Sequence, residues 1–149
     1  MQYLIKTGCK KIAVISTIFD LSVGKLRLEG ALEEVSKHKG VRLIELPINH
    51  LGTEEEQIET FLKNNKTDAV LGLDETAAAI TINIANKLGY KIPEKFSVIG
   101  FTDGLLSKYS YPKLTTVSQH AEDLGAKAAK MLLDRINSTT DNNLSLIHI

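Results

Sequence analysis

Three short apolar runs constrain the fold of this chain most strongly. They cover residues 12–16 (IAVIS), 69–73 (AVLGL) and 96–101 (FSVIGF). Each is rich in β-branched residues and does not alternate with polar positions, which is typical of strands covered on both faces of a parallel sheet. A fourth run at residues 41–46 (VRLIEL) alternates and is followed by Pro47, which favours a strand at the edge of that sheet.

Helical patterns alternate with these runs, at residues 23–38, from Thr53 onward, at 75–88 and at 121–136. Gly40 and Gly89 stand where left-handed C-caps are expected, and Thr53 opens a Thr-Glu-Glu-Glu sequence with capping-box spacing. Apolar residues recur at helical spacing and form the expected buried faces: Leu28, Ala31, Leu32 and Val35; Ile58, Phe61 and Leu62; Leu124, Ala128, Met131 and Leu132. The alternation predicts an α/β protein with a parallel, doubly wound sheet and right-handed crossovers.

Composition excludes several classes of protein. The 18 Lys and Arg residues balance the 18 Asp and Glu residues, and the arginines do not cluster, which argues against a nucleic-acid surface on this segment. The single cysteine, Cys9, excludes a disulfide framework and a cysteine-based zinc site and suits a reducing compartment. With neither a signal peptide nor an apolar run of about 18 residues, the sequence predicts a soluble, cytoplasmic protein with no membrane partner.

Polar residues collect directly after the apolar runs. Thr17, Phe19, Asp20 and Ser22 follow the first run, Asp74 and Glu75 the second, and Thr102, Asp103 and Gly104 the third; Arg27 falls on the first turns of the helix after the first run. Ligands of open parallel sheets bind beyond the carboxyl ends of the strands. One guanidinium, several carboxylates and hydroxyls and an aromatic ring suit a small polyhydroxylated or carboxylated ligand.

Each of these residues also has a purely structural interpretation. Asp74 suits the N-cap of the following helix, and Thr102 to Gly104 suit a turn. Arg27 can be a solvated helix residue or a partner of Glu29 or Asp20, and Phe19 can anchor its loop. The sequence contains no catalytic motif and no phosphate loop. No second ligand lies at metal-binding spacing from His120. The sequence therefore predicts a protein that is not an enzyme and has no cofactor and no metal site.

Several motifs in order resemble one known family. The segment YLIKTGCKKIAVIS is similar to the opening of the second effector subdomain of LacI-type (lactose repressor-like) transcriptional regulators, and RLEGALEEV approximates that family's arginine motif. KLGYKIPEKFSVIGFTDGLLSKYSYPKLTTVSQH resembles the family's closing run, which contains G-F-D-D and P-x-L-T-T-V-x-Q. The resemblance implies a two-lobed, periplasmic-binding-protein-like fold. An effector, usually a sugar or nucleoside-like molecule, binds between the lobes and alters DNA affinity through lobe closure.

The same resemblance implies a set of ligand-binding residues. The family's ligand arginine falls on Arg27, its Asn-Asp pair on Asp74-Glu75, the two aspartates of G-F-D-D on Thr102 and Asp103, and its glutamine on Gln119; Phe19 completes the expected set. Thr102 lacks the family's carboxylate, and Asp74 replaces an amide with a group that only accepts hydrogen bonds. The family's ligand chemistry therefore does not transfer in detail, and the effector's identity stays open.

The resemblance also implies a division of the chain. Residues 1–8 are expected to end a truncated helix, 9–113 to form the effector-binding second lobe, and 114–137 to be the return strand and helix of a largely missing first lobe. Residues 138–149 are expected to be a linker and a non-native tail, because residues 144–149 match a translated sequencing adapter. A complete regulator would bind operator DNA through an N-terminal helix-turn-helix and form a homodimer. This fragment would hold half a cleft and expose an apolar patch on its last helix.

Two other classes of protein have a similar order of strands and helices. A periplasmic sugar-binding protein of a transport system shares the fold, but P-x-L-T-T-V-x-Q and Cys9 disfavour it. A phosphoacceptor receiver domain also alternates strands and helices. A receiver domain needs an acidic pair after its first strand, whereas only one acid, Asp20, follows the first run here. It also needs a lysine after its last strand, whereas the first lysine after the third run is Lys108.

Overall fold

The computed structural model describes residues 1–48 and 52–137, and five parallel strands form its sheet in the order β2-β1-β3-β4-β5. The strands are β1 (Lys11–Ser16), β2 (Arg42–Pro47), β3 (Ala69–Gly72), β4 (Ser97–Phe101) and β5 (Thr115–Val117). Every neighbouring pair is parallel, with Ile12 opposite both Leu43 and Ala69. The sheet confirms the α/β, doubly wound prediction and the edge position of β2.

Six helices accompany the described strands: α1 (Gln2–Lys6), α2 (Ser22–Ser36), α3 (Glu54–Asn64), α4 (Glu75–Lys87), α5 (Leu105–Tyr109) and α6 (Ala121–Asn137). Successive side chains of β1 enter different cores, because neighbouring residues of a strand point to opposite faces. Ala13 and Ile15 pack with α3 and α4, whereas Ile12 and Val14 pack with α1 and α2. Strands covered on both faces explain why the apolar runs do not alternate.

Helix α4 approaches the sheet closely because small residues line the contact. Gly72 of β3 and Gly100 of β4 lie opposite each other in the ladder. A β-carbon on Gly72 would lie 2.7 Å from Ala78 Cβ, and one on Gly100 would lie 2.8 Å from the same atom. Glycine at both positions therefore lets the first turns of α4 sit directly on the carboxyl ends of β3 and β4, where the candidate ligand-binding residues occur.

Several sequence predictions differ from the structure. Leu32, expected on the buried stripe of α2, is 41% exposed, whereas Ala31 is buried. Thr53 precedes α3 but its side chain does not cap the helix; its hydroxyl instead accepts from Gln57 Nε2 at 2.7 Å. Helix α5 was not expected. With only five residues it is too short to produce a clear apolar period.

The chain divides into two compact units, Met1–Val117 and Ser118–Ile149. The strand Thr115–Val117, assigned by sequence to the return segment, pairs with β4 in the sheet of the first unit. Within the second unit, the structure describes α6, which has no buried residue. Residues 138–149, expected to be linker and tail, lie outside the described residues. Among the described helices, none is long and apolar enough to cross a membrane.

Candidate functional site

Asp74 ties two elements together at the carboxyl edge of the sheet. Its Oδ1 accepts a hydrogen bond from Ala77 N at 2.8 Å and so caps α4. Its Oδ2 accepts from Thr17 N at 2.8 Å and from Ser16 Oγ at 3.1 Å. Asp74 is buried, so the N-cap interpretation holds and the residue also fastens the segment after β1 to α4. Its contact with a ligand stays a prediction.

Arg27 places a positive charge at the same edge. Its Nη1 donates to the carbonyl of Leu73 at 2.5 Å, and its Cζ lies 4.4 Å from the centroid of the Phe101 ring. Desolvation lowers the pKa of Arg27 from its ordinary value, and the negative charge of Asp74 opposes that shift. Because an arginine keeps its charge in proteins, the half-buried guanidinium remains a cation with further N–H donors.

The ion-pair alternative for Arg27 is not observed. Within the described ranges, no ion pair joins Arg27 to Glu29 or to Asp20. The side chain is instead held by a carbonyl and an aromatic ring. This arrangement fixes the guanidinium in one orientation without neutralising it, which is the condition for recognising hydroxyl or carboxylate oxygens of a ligand.

Thr102 lies in strained backbone directly after β4. Its φ angle is 78°, a left-handed conformation that β-branched residues rarely adopt. Its N–H donates to the Val117 carbonyl at 3.0 Å, and its carbonyl lies 3.0 Å from Ser107 Oγ. The surrounding hydrogen bonds hold this strained position, and strain of this kind clusters at ligand sites. Asp103 follows on the exposed side of the turn.

Glu75 fastens the start of α4 to α5. Its Oε1 accepts from Ser107 N at 2.9 Å and lies 2.8 Å from Ser107 Oγ. A side chain on Gly104 would collide with the carboxylate of Glu75. Glycine at position 104 therefore allows the contact between Glu75 and Ser107, and this contact supports the turn that carries Thr102 and Asp103.

The structure brings some of the expected site residues together at one edge of the sheet. Arg27, Asp74 and Thr102 lie around the carboxyl ends of β3 and β4. Phe19 is half-buried and packs on the core beneath α1 and α2, as a loop anchor does. Gln119 lies in the second unit, before α6. In the part of the chain that the structure describes, no group of His, Cys, Asp and Glu residues is arranged to hold a metal ion.

Sequence reasoning missed three supporting residues: Phe101, Ser16 and Ser107. Phe101 ends a predicted strand, and the rule that selected Thr102 also reaches it. Ser16 was counted only as the end of a strand, although its hydroxyl bonds to Asp74. Ser107 could not be found, because its role depends on the unexpected helix α5 and on a partner 32 residues away.

Comparison with known proteins identifies relatives along most of the chain. Residues 1–147 match the family described as periplasmic binding protein-like domain. The HTH-type transcriptional regulator CelR of Thermobifida fusca is 26% identical over 98% of this chain and 44% of its own length. The HTH-type transcriptional repressor PurR of Edwardsiella ictaluri is 31% identical over 95% of this chain and 42% of its own length.

Solved structures agree with these relatives. A LacI family transcriptional regulator from Enterococcus faecium, crystallised with bound ribose, has a TM-score of 0.80 and is 29% identical; the match covers 94% of this chain and 53% of that chain. The chain thus spans less than half the length of the two curated relatives. The sequence motifs and the fold agree with these matches, and the chain belongs to the periplasmic binding protein-like domain family, as its resemblance to LacI-type regulators implied.

Proposed function

We propose that this chain is the effector-binding part of a LacI-type DNA-binding transcriptional regulator that acts in the cytoplasm. It binds a sugar or a similar small polar ligand at the carboxyl edge of its sheet, and ligand binding changes operator affinity through lobe closure. The observation that carries the proposal is Arg27, a charged guanidinium stacked on Phe101 and oriented by the Leu73 carbonyl.

The geometry around Arg27 suits a hydroxylated ligand. A guanidinium has five N–H donors, and the hydrogen bond to Leu73 uses one of them. The ring of Phe101, half-buried beneath the guanidinium, adds an apolar surface at the same edge. Asp103 offers an exposed carboxylate on the neighbouring turn. Donors, an acceptor and an aromatic ring on a rigid sheet edge are what binding of a polyol requires.

The names of the relatives support a regulator rather than a transport protein. The two curated relatives are called transcriptional regulators, and the structure from Enterococcus faecium holds ribose. A switching role follows from linkage: an effector that binds one lobe arrangement more tightly shifts the population toward it, and DNA affinity changes by the same coupling. Operator DNA would be contacted by a helix-turn-helix outside this chain, in a homodimer, and no catalytic step is involved.

The test uses the complete regulator and DNA from upstream of its own gene. Operator binding is measured by fluorescence polarisation, without and with a panel of free sugars that begins with ribose. We expect one sugar to change operator affinity, and Arg27→Ala to weaken the sugar's effect about tenfold or more, because a charge-assisted hydrogen bond is lost. Operator binding without sugar should be unchanged. Arg42→Ala, at the exposed amino end of β2, is the matched control and should respond normally.

Two results would contradict the proposal. If Arg27→Ala responds like the unaltered regulator, the ligand does not bind at this edge. If no sugar changes the operator affinity of the unaltered regulator, the proposed effector class is wrong.

A further inference from the structure

We propose that the opposite edge of the sheet, where the strands begin, holds a second site, which binds a small phosphorylated compound that carries a ring. This amino edge lies away from the residues at the carboxyl edge. Ligand binding there does not depend on the function proposed above. The features of this edge are a concentration of lysines and a cavity between them.

A lysine precedes every strand of the sheet. Lys10, Lys39, Lys66, Lys95 and Lys113 come shortly before β1, β2, β3, β4 and β5 in turn. Because all five strands are parallel, their beginnings lie at one edge, and the five lysines lie along it. The sequence is neutral overall, whereas Asp20, Asp74, Glu75 and Asp103 lie beyond the carboxyl ends. The even balance of charge along the sequence therefore hides an uneven distribution in space, with more lysines at the amino edge and more carboxylates at the carboxyl edge.

Carboxylates at this edge are fewer than the lysines. In residues 1–48 and 52–137, no ion pair includes any of the five, whereas Lys63 and Lys87 pair with Glu59. Asp68 lies at this edge, but its Oδ2 already accepts from the backbone N–H groups of Lys10 and Lys11, both at 2.8 Å. Glu94 is the other carboxylate at the cavity. The cavity itself is lined by two lysines and two carboxylates. Along the whole edge the five lysines outnumber these two carboxylates, and this excess of positive charge attracts an anion from solvent.

A cavity of about 440 Å³ opens between two of the lysines. Lys95 and Lys113 line it together with the hydroxyls of Ser97 and Thr115, and Tyr3 forms an exposed aromatic wall. Cavities of this size hold small organic ligands. Lysines bind phosphate as point charges, and an aromatic ring stacks on a flat ring system. The lining thus fits a ring that carries phosphate groups better than a bare inorganic anion.

Helix dipoles do not account for the two lysines at the cavity. Cations stabilise a helix when they lie in its last turn, which explains Lys6 at the end of α1. Lys95 lies well past the end of α4 at Lys87, and Lys113 lies past the end of α5 at Tyr109. Their position is set by the strands that they precede, and both line the cavity.

The test titrates the ¹⁵N-labelled chain with ATP, adenosine and pyrophosphate in separate experiments and follows amide shifts by NMR. ATP supplies both ring and phosphates, adenosine the ring alone, and pyrophosphate the phosphates alone. We expect saturable shifts near Tyr3, Lys95 and Lys113 with ATP, weaker binding of the other two probes, and weaker binding of ATP as salt rises. Lys95→Gln with Lys113→Gln should raise the dissociation constant about tenfold.

The matched control is Lys25→Gln with Lys127→Gln, which removes the same charge elsewhere and should leave the dissociation constant unchanged. Amide spectra of both double variants establish that each is folded before titration. The proposal is wrong if ATP causes no saturable shift, or if the shifts centre on Arg27 or spread over all lysines. It is also wrong if the Lys95 and Lys113 variant binds like the control, or if pyrophosphate binds as tightly as ATP.

Discussion

At the scale of single residues, the partners of Asp74 explain why a carboxylate suits this position. Three donors converge on its carboxylate: Ala77 N, Thr17 N and Ser16 Oγ. A carboxylate has two acceptor oxygens and no hydrogen of its own to donate, whereas an amide places an NH₂ group in one of these positions. A carboxylate therefore matches the hydrogen-bonding partners that surround it, whether or not Asp74 also contacts a ligand.

Replacement of Asp74 by alanine should lower the free energy of unfolding by about 1–3 kcal/mol, because the cap of α4 is lost and buried donors are left unpaired. Urea denaturation followed by circular dichroism measures the change. Asp20→Ala is the control, since Asp20 is exposed and its loss should change stability by no more than about 0.5 kcal/mol. Equal stability of the two variants would show that the hydrogen bonds of Asp74 contribute nothing.

Sequence reasoning at this scale identifies the type and position of a site residue better than the residues with which it forms hydrogen bonds or stacks. The rule that ligands bind beyond the carboxyl ends of strands selected Arg27, Asp74 and Thr102. It could not show that Asp74 is tied to Thr17, 57 residues earlier, or that Arg27 stacks on Phe101. Such contacts depend on the strand order in space, which one sequence does not specify.

At the scale of elements, the contact of α4 with β3 and β4 positions the candidate site. The β-carbon of Ala78 fits above Gly72 and Gly100. This close packing brings the N-terminus of α4, with Asp74 and Glu75, to the ends of the strands. The strands were predicted from short apolar runs, and the long helices from apolar residues at helical spacing. Helix α5 and strand β5 are too short to produce a clear pattern, so neither the helix nor the pairing of β5 with β4 was predicted.

Substitution of alanine for Gly72 should destabilise the protein by about 1–3 kcal/mol, because the added β-carbon overlaps α4 in a packed core. The backbone N of Ala78 would lie 2.8 Å from that atom, so a side-chain rotation cannot relieve the contact. Thermal and urea unfolding measure the effect.

Gly30→Ala is the matched control. Gly30 lies inside α2, and a β-carbon there meets nothing within 4 Å. Since alanine favours a helix over glycine by about 1 kcal/mol, this variant should be more stable than the original chain. Glycine-to-alanine substitution is thus expected to lower stability at position 72 and to raise it at position 30. Destabilisation at both would show that backbone conformation, rather than contact with α4, determines the effect at Gly72.

At the scale of the whole molecule, the two units differ in whether their apolar side chains are buried. The unit Met1–Val117 buries its apolar runs on both faces of a sheet. Helix α6 of the second unit buries no residue, and Leu124, Leu132, Leu133 and Ile136 are between 41% and 69% exposed. The sequence predicted this helix and its apolar stripe.

An exposed stripe of this kind should make the isolated chain self-associate as its concentration rises, because burying leucine and isoleucine side chains between copies removes apolar surface from water. Sedimentation velocity over a range of concentrations measures the association. Leu132→Glu with Ile136→Glu should return the chain to a monomer, since a buried carboxylate in each copy opposes the contact. Lys127→Glu with Lys130→Glu adds the same two carboxylates to α6 away from these apolar positions and should leave the association intact. A chain that is monomeric at every concentration, or loss of association in both variants, would show that the apolar stripe of α6 is not the surface that associates.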